Sequence, residues 1–207
     1  MNREIVAHSP AESDDELLLR MRSGDEQAFL SLYRRCRGVI YGYATHMSGS
    51  SAVGEDITQE VFMVLIRDEC GYDSERGTLS GYLLGIARNL VLRFLEKSRA
   101  DVQLDVERDE PLSMELAVEP SQLSALTRKE GVKALRHAIQ ALPARYREVV
   151  VLCDLEEMDY LDAAAVIGCP VGTVRSRLHR ARALLLEKLQ HGWGGRPRDL
   201  KPVRCSI

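Results

Sequence analysis

Apolar residues recur along this chain at intervals of three and four, and no alternation of two persists for the length of a strand. From Asp14 the pattern is helical. After a break at Ser23-Gly24-Asp25, Phe29, Leu32, Tyr33, Cys36, Val39, Ile40 and Tyr43 trace the buried stripe of a second helix. The turn MSGSSAVG leads to a third, in which Ile57, Val61, Val64 and Leu65 point inward and Asp56, Gln59, Glu60, Met63 and Arg67 line the opposite side. A polar, glycine-flanked loop runs from Gly71 to Thr78, and Thr78 is placed to cap the next helix. That helix spans Leu79 to about Arg99, burying Leu79, Leu83, Ile86, Leu90 and Phe94 and setting Tyr82, Asn89 and Arg93 on another face.

Between Asp101 and Glu119 seven acidic residues stand against Arg108 alone, with Pro111 and Pro120 interrupting any long helix. This is the composition of a solvated linker. Helical spacing resumes near Thr127, with Val132, Leu135, Ile139 and Leu142 in register, and Pro143 starts another helix carrying Tyr146, Val149, Val150 and Cys153. Two further helices joined by a tight turn follow, over Asp159 to Leu186. Asp159 is placed as an N-cap, with Asp162 three positions on to return a hydrogen bond, and Ala163, Ala164, Ala165 and Val166 run into a terminating Gly168. The next helix opens around Pro170 and buries Val174, Leu178, Ala181 and Leu185. Close-packed small residues, a tight turn and a second amphipathic helix make a helix-turn-helix.

The fold expected is therefore all-α: two small helical domains joined by a flexible acidic linker, the second containing the helix-turn-helix. The divisions fall at residues 13–100, 101–128 and 129–191, with a Gly-, Pro- and Arg-rich mobile tail over 192–207.

Charge points to the chemistry. Pro170 to Leu186 contains no acidic residue, and the outer face of its helix holds Arg175, Ser176, His179, Arg180 and Arg182. Such a face suits a DNA major groove. Arginine grips a guanine edge with two hydrogen bonds, Ser and His read or brace, and Gly172 and Thr173 offer backbone N–H groups to a phosphate. In the first domain Arg88, Arg93, Lys97 and Arg99 outnumber Glu96, and an aromatic, an amide and arginines beside a polar loop supply stacking and hydrogen bonds for unstacked bases. A net charge of -3 is unusual for a chain holding DNA unaided, so either its basic charge is segregated or a partner helps.

The chain is 45% hydrophobic and 29% charged, enough for a proper core. Its five cysteines, at 36, 70, 153, 169 and 205, form no C-x-x-C pair and no metal-ligand spacing, and read as buried thiols in a reducing cytoplasm. No cofactor is implied. The N-terminus lacks an apolar stretch of the kind that directs export, and no run of about eighteen apolar residues occurs. The chain is expected to be neither exported nor membrane-spanning. Asp56 and Glu60, four apart, are the one carboxylate pair suggesting a metal-dependent hydrolase, but no third ligand or phosphate loop accompanies them.

Several blocks resemble a known family. DITQEVF (Asp56 to Phe62), YDSERGTLSGYLLGIARNLV (Tyr72 to Val91), ALPARYREVVVL and CPVGTVRSRLHRAR are similar to the extracytoplasmic-function sigma factors, alternative sigma factors of bacterial RNA polymerase. The resemblance covers about residues 13–100 and 129–190. It implies a protein without catalytic residues that directs core polymerase to promoters. On that resemblance Asp56, Gln59, Glu60 and Met63 bind the clamp helices of the largest polymerase subunit. Asp73, Ser74, Tyr82, Arg88, Asn89 and Arg93 capture the -10 element as single strand. Gly172, Thr173, Arg175, Ser176, His179 and Arg180 read the -35 duplex. The second-largest subunit's flap, promoter DNA and an anti-sigma factor are the further partners implied, with the acidic linker threading the polymerase. The family commonly carries Trp where Tyr82 stands, and Ser or Thr, Glu and Ile where Asp159, Asp162 and Ala163 stand. The alternative expectation is a conventional helix-turn-helix regulator that binds duplex operators without polymerase.

Overall fold

The computed structural model describes residues 12–67, 71–104 and 123–192, and among these every regular element is helical. Four helices form an N-terminal bundle: α1 (Asp14–Arg22), α2 (Glu26–Ser48), α3 (Ser51–Ile66) and α4 (Leu79–Leu104). Four more form a C-terminal bundle: α5 (Leu123–Gln140), α6 (Ala144–Val150), α7 (Tyr160–Ile167) and α8 (Val171–Gly192). A 3-10 turn, Ser74–Arg76, interrupts the loop before α4, and α6 continues as a π-helical turn over Val151–Leu155.

The helix starts follow from side chains that satisfy otherwise orphaned N–H groups. Ser13 and Glu16 exchange hydrogen bonds in a capping box at α1. Asp25 caps α2 by accepting from the N–H groups of Gln27 and Ala28, and Arg20 braces that carboxylate at 2.9 Å. Thr78 Oγ1 accepts from the N–H of Gly81 at 3.1 Å, the cap expected for α4. Gly168 closes α7 at φ 74°, a left-handed conformation that glycine adopts without a Cβ penalty.

The N-terminal core packs Leu17, Leu32, Ile40, Tyr43, Met47, Leu65, Leu79 and Leu83 with almost no exposure. At about 1.5–3 kcal/mol for each fully buried large apolar side chain, these positions supply most of the drive to fold. The C-terminal core joins Ile139, Leu142, Val149 to Leu152, Ala163 and Ile167 to the expected α8 stripe of Val174, Leu178, Ala181 and Leu185.

Four expectations need correcting. The buried side of α4 is centred on Leu79, Leu83, Leu84, Ala87 and Val91, so Ile86, Leu90 and Phe94 lie at its half-buried margin. Val132 and Leu135 of α5 are 46% and 38% exposed, and the described part of that helix enters the core at its C-terminal end, through Ala138 and Ile139. Helices α4 and α5 also reach to Leu104 and from Leu123, into the span read as linker. Asp159 accepts from the N–H groups of Leu161 and Asp162, but among the described residues no bond returns from the Asp162 side chain. The rest of the linker, residues 105–122, lies outside the described residues, as do Cys70, Cys205, the tail from 193 and residues 1–11. Among the described residues no helix is long and apolar enough to cross a membrane. Cys36 is buried, whereas Cys153 and Cys169 are only half-buried.

Candidate functional site

Three surfaces carry the residues singled out by the sequence. The first is the outer face of α8. Packing of Val174, Leu178, Ala181 and Leu185 onto the core fixes the helix's rotation, and Arg175, Ser176, His179 and Arg180 consequently face solvent. Gly172 is exposed and Thr173 half-buried in the first turn, and the Thr173 N–H, expected to meet a phosphate, instead donates to the Pro170 carbonyl at 2.8 Å. Ser176 Oγ donates to the Thr173 carbonyl at 3.1 Å, and the Arg175 guanidinium lies 5.9 Å from the Tyr160 ring centroid. Arg182 behaves differently from its neighbours. Its guanidinium forks onto Asp154, with Nε and Nη2 donating at 3.1 and 2.5 Å, and ties α8 to the π turn.

The second surface is a hollow of about 480 Å³ over the start of α4. Tyr82, Asn89 and Asp73 line it together, and the Tyr82 ring is paired with Tyr72 at 5.7 Å between centroids. The sequence places Tyr72 at the start of the -10 loop without naming it among the capture residues, although two tyrosines flanking a helix start were its signal. Its hydroxyl donates to the Gly77 carbonyl at 3.2 Å, which pins the loop. Asp73 accepts from the N–H of Glu75 at 3.0 Å and holds the 3-10 turn, while Ser74 lines an adjoining depression. Gly81 and Gly85 form part of the wall, and no side chain fills the space where a Cβ on Gly85 would point. Arg93 is exposed farther along α4. Arg88 is not at the hollow's lining; its Nε donates to Glu148 of α6 at 2.7 Å. Asp162, Ala165 and Val166 of α7 close the hollow from the other bundle.

The third surface is α3. Asp56, Gln59 and Glu60 are exposed and Met63 half-buried, with Glu60 at 4.0 Å from Arg67. Gln59 and Met63 border a groove of about 340 Å³ whose wall is aromatic: Tyr33 and Phe62 rings lie 4.7 Å apart, and Phe29 meets Phe62 edge-on at 6.2 Å. Ile66 adds an apolar side chain that is 52% exposed. The sequence singled out the polar half of this surface and took Phe29 and Tyr33 as core. No group of three or more His, Cys, Asp or Glu side chains able to hold a metal occurs among the described residues.

Two family models match the chain, one within each bundle. Residues 32–100 match Sigma-70 region 2, and residues 133–185 match Sigma-70, region 4. The ECF RNA polymerase sigma factor SigW of Bacillus subtilis is 30% identical over 176 residues, which cover 83% of this chain and 94% of that protein. This chain belongs to the extracytoplasmic-function sigma factors. SigE of Mycolicibacterium smegmatis, a longer protein of which 65% is covered, is 32% identical over 170 residues, 81% of this chain. Among solved structures, the sigma factor RpoE of Bartonella quintana, determined in complex with the anti-sigma factor NepR, superposes with a TM-score of 0.63 at 26% identity. That match covers 78% of this chain and 96% of that one. CnrH, determined with the cytosolic domain of CnrY, shares the fold with a TM-score of 0.61 at 23% identity, over 87% of this chain and 99% of that one. These matches favour the sigma factor over the conventional operator-binding regulator: an alternative sigma factor with both a region 2 and a region 4.

Proposed function

We propose that this sigma factor engages promoters in two modes. Region 4 lays α8 in the major groove of the -35 element, with Arg175, Ser176, His179 and Arg180 at base edges and the Gly172 N–H and the Thr173 hydroxyl at a phosphate. Region 2 holds unstacked bases of the -10 strand in the hollow beside Tyr82 and Asn89, with Asp73 and Ser74 on its rim and Arg88 and Arg93 for the backbone. The observation that carries this reading is the α8 face itself: exposed, basic and without an acidic residue from Pro170 to Leu186, on a helix whose rotation the core fixes.

The protein's contribution is binding free energy, with no covalent chemistry of its own. Stacking and hydrogen bonds made only to flipped-out bases draw the duplex–open equilibrium toward the open form. Asp56, Gln59, Glu60 and Met63, continued by the aromatic groove, are the face for the clamp helices of the polymerase largest subunit, and region 4 also meets the flap of the second-largest. Core polymerase then supplies the phosphate contacts that a chain of net charge -3 lacks. The site of action is the cytoplasm. An anti-sigma factor is a further partner, supported by the NepR-bound relative.

Run-off transcription with core polymerase on a genomic promoter library tests this reading. New start sites sharing two spaced elements are expected only with this protein added. Arg175→Ala is expected to relax selectivity at one -35 base pair, at a cost of roughly 1–3 kcal/mol for a bidentate guanine contact. Asn89→Ala is expected to abolish the starts. Absence of new starts, with tight binding of duplex operators by the protein alone, would refute the proposal.

A further inference from the structure

Glu148 is a carboxylate at 4% exposure in the middle of α6, and both of its hydrogen-bond partners belong to the other bundle. Tyr43 Oη of α2 donates to Oε1 at 3.1 Å, and Arg88 Nε of α4 donates to the same oxygen at 2.7 Å. A buried carboxylate is tolerated where such donors replace its water. Here those donors exist only while the two bundles are docked.

The surrounding contacts have the same character. Gln140 Nε2 donates to the His46 carbonyl at 2.5 Å, and Arg147 Nη1 donates to the Met47 carbonyl at 2.7 Å. Both carbonyls lie in the last turn of α2, where no helical N–H follows to satisfy them and where a cation is favoured. Arg147 is itself held in place by the Gln140 and Leu142 carbonyls. The Glu156 carboxylate, at the end of the π turn, lies against Gly42. A Cβ built on Gly42 would come within 2.2 Å of Glu156 Oε1. One face of α2, from Gly42 to Met47, thus receives four side chains from region 4.

We propose that regions 2 and 4 form a self-latched state in which Glu148 occupies Arg88 as a stand-in for a DNA phosphate and α7 roofs the single-strand hollow. A carboxylate and a phosphate oxygen are alternative acceptors for the same guanidinium, so DNA and Glu148 compete for it. The roof adds a second obstacle. Asp162 brings a negative charge, and Ala165 and Val166 bring bulk, to the rim opposite Tyr82 and Asn89. The α8 face is left open, with Arg175, Ser176, His179 and Arg180 still exposed. The latch therefore withholds strand capture and leaves duplex reading available. This inference rests on the assignment of Arg88, Tyr82 and Asn89 to strand capture.

The test uses the full chain without polymerase, with two readouts: radius of gyration by small-angle scattering, and affinity for a fluorescent pool of short random-sequence single-stranded DNA. Two variants open the latch by unrelated means. Glu148→Arg sets two guanidinium groups face to face, and Gln140→Glu replaces the donor to the His46 carbonyl with a carboxylate that is repelled at the negative end of α2. Both are expected to expand the molecule and tighten single-strand binding by about tenfold, the gain released by a closed population of roughly 90%. Combining Arg88→Glu with Glu148→Arg is expected to restore compactness, because the pair is re-formed with its charges exchanged. An unchanged radius in both opening variants would refute the latch. Expansion with no gain in single-strand affinity would refute the masking of Arg88. Failure of the underlying strand-capture assignment is read separately, as unaltered run-off transcription in Asn89→Ala.

Discussion

A methyl group added at Gly54 has no room. Its Cβ would stand 2.1 Å from Thr45 Oγ1 and 3.3 Å from both the Thr45 Cβ and backbone nitrogen, where α3 crosses α2 at closest approach. Threonine's branched side chain moves only by a jump between χ1 wells, not by the small adjustments open to a long side chain. Alanine is the better helix former by about 1 kcal/mol, but overpacking a tight contact costs about 1–3 kcal/mol, and the clash prevails. Gly54→Ala is accordingly expected to lower stability by up to about 2 kcal/mol, read as a lower urea midpoint. Thr45→Ala in the same chain is expected to recover most of it, since the obstructing hydroxyl is buried and has no hydrogen-bond partner among the described residues. A double variant no more stable than Gly54→Ala would show that some other contact sets the limit. Gly54 sits two positions before the DITQEVF block and reads in sequence only as an exception to helix propensity. Its necessity comes from a neighbour on another helix.

Among elements, the most legible was the α7–turn–α8 unit, because each of its signals is local. Asp159 begins α7, Gly168 ends it in the left-handed region, and Val174, Leu178, Ala181 and Leu185 share one face of α8. An eight-residue helix has little intrinsic stability, so its cap matters more than most. Asp159→Ala leaves the N–H groups of Leu161 and Asp162 without their acceptor and is expected to cost about 0.5–2 kcal/mol, whereas Asp159→Asn retains most of the cap. Thermal melts should rank parent, Asn and Ala in that order; equal melting of Asn and Ala variants would mean that charge, and not the capping bond, holds the end. Legibility failed where phase is ambiguous or partners are remote. Four consecutive apolar residues, Val149 to Leu152, are all buried, and such a run has no helical phase; the π turn that begins at Val151 adds to the misfit. In α4, apolar residues at 83, 84, 86, 87, 90 and 91 allow more than one buried face, and packing on α2 and α7 selected the one through Leu84, Ala87 and Val91. Arg88 looked free to meet DNA because its partner, Glu148, lies sixty positions away.

For the molecule as a whole, docking of the two regions carries a proton linkage. Glu156 has its carboxyl raised from 4.5 to about 7, and burial at the contact with Gly42 is the cause. A carboxyl raised in the docked form binds a proton there that it releases when exposed. Its favourable contribution is complete below about pH 4.5 and is lost as pH rises through about 7. His46, one turn along the same face of α2, works in the opposite sense. Burial, and then Arg136 of α5, lowers its pKa from 6.5, so its contribution is present above that value and is lost as pH falls below it. The two slopes oppose one another, and the pH profile of the parent protein alone would blur both. Glu156→Gln separates them, since the amide keeps the shape of the neutral carboxyl and leaves His46 untouched. At about pH 5 the variant and parent are expected to match; by about pH 8 the variant is expected to be the more stable and the more compact. The gain is on the order of 1 kcal/mol, after allowing for the screening of a half-exposed group. Urea midpoints and scattering radii at the two pH values measure it. Parallel profiles for parent and variant would mean that Glu156 ionises in the docked form as freely as in water, and that closure of the two regions takes up no proton there.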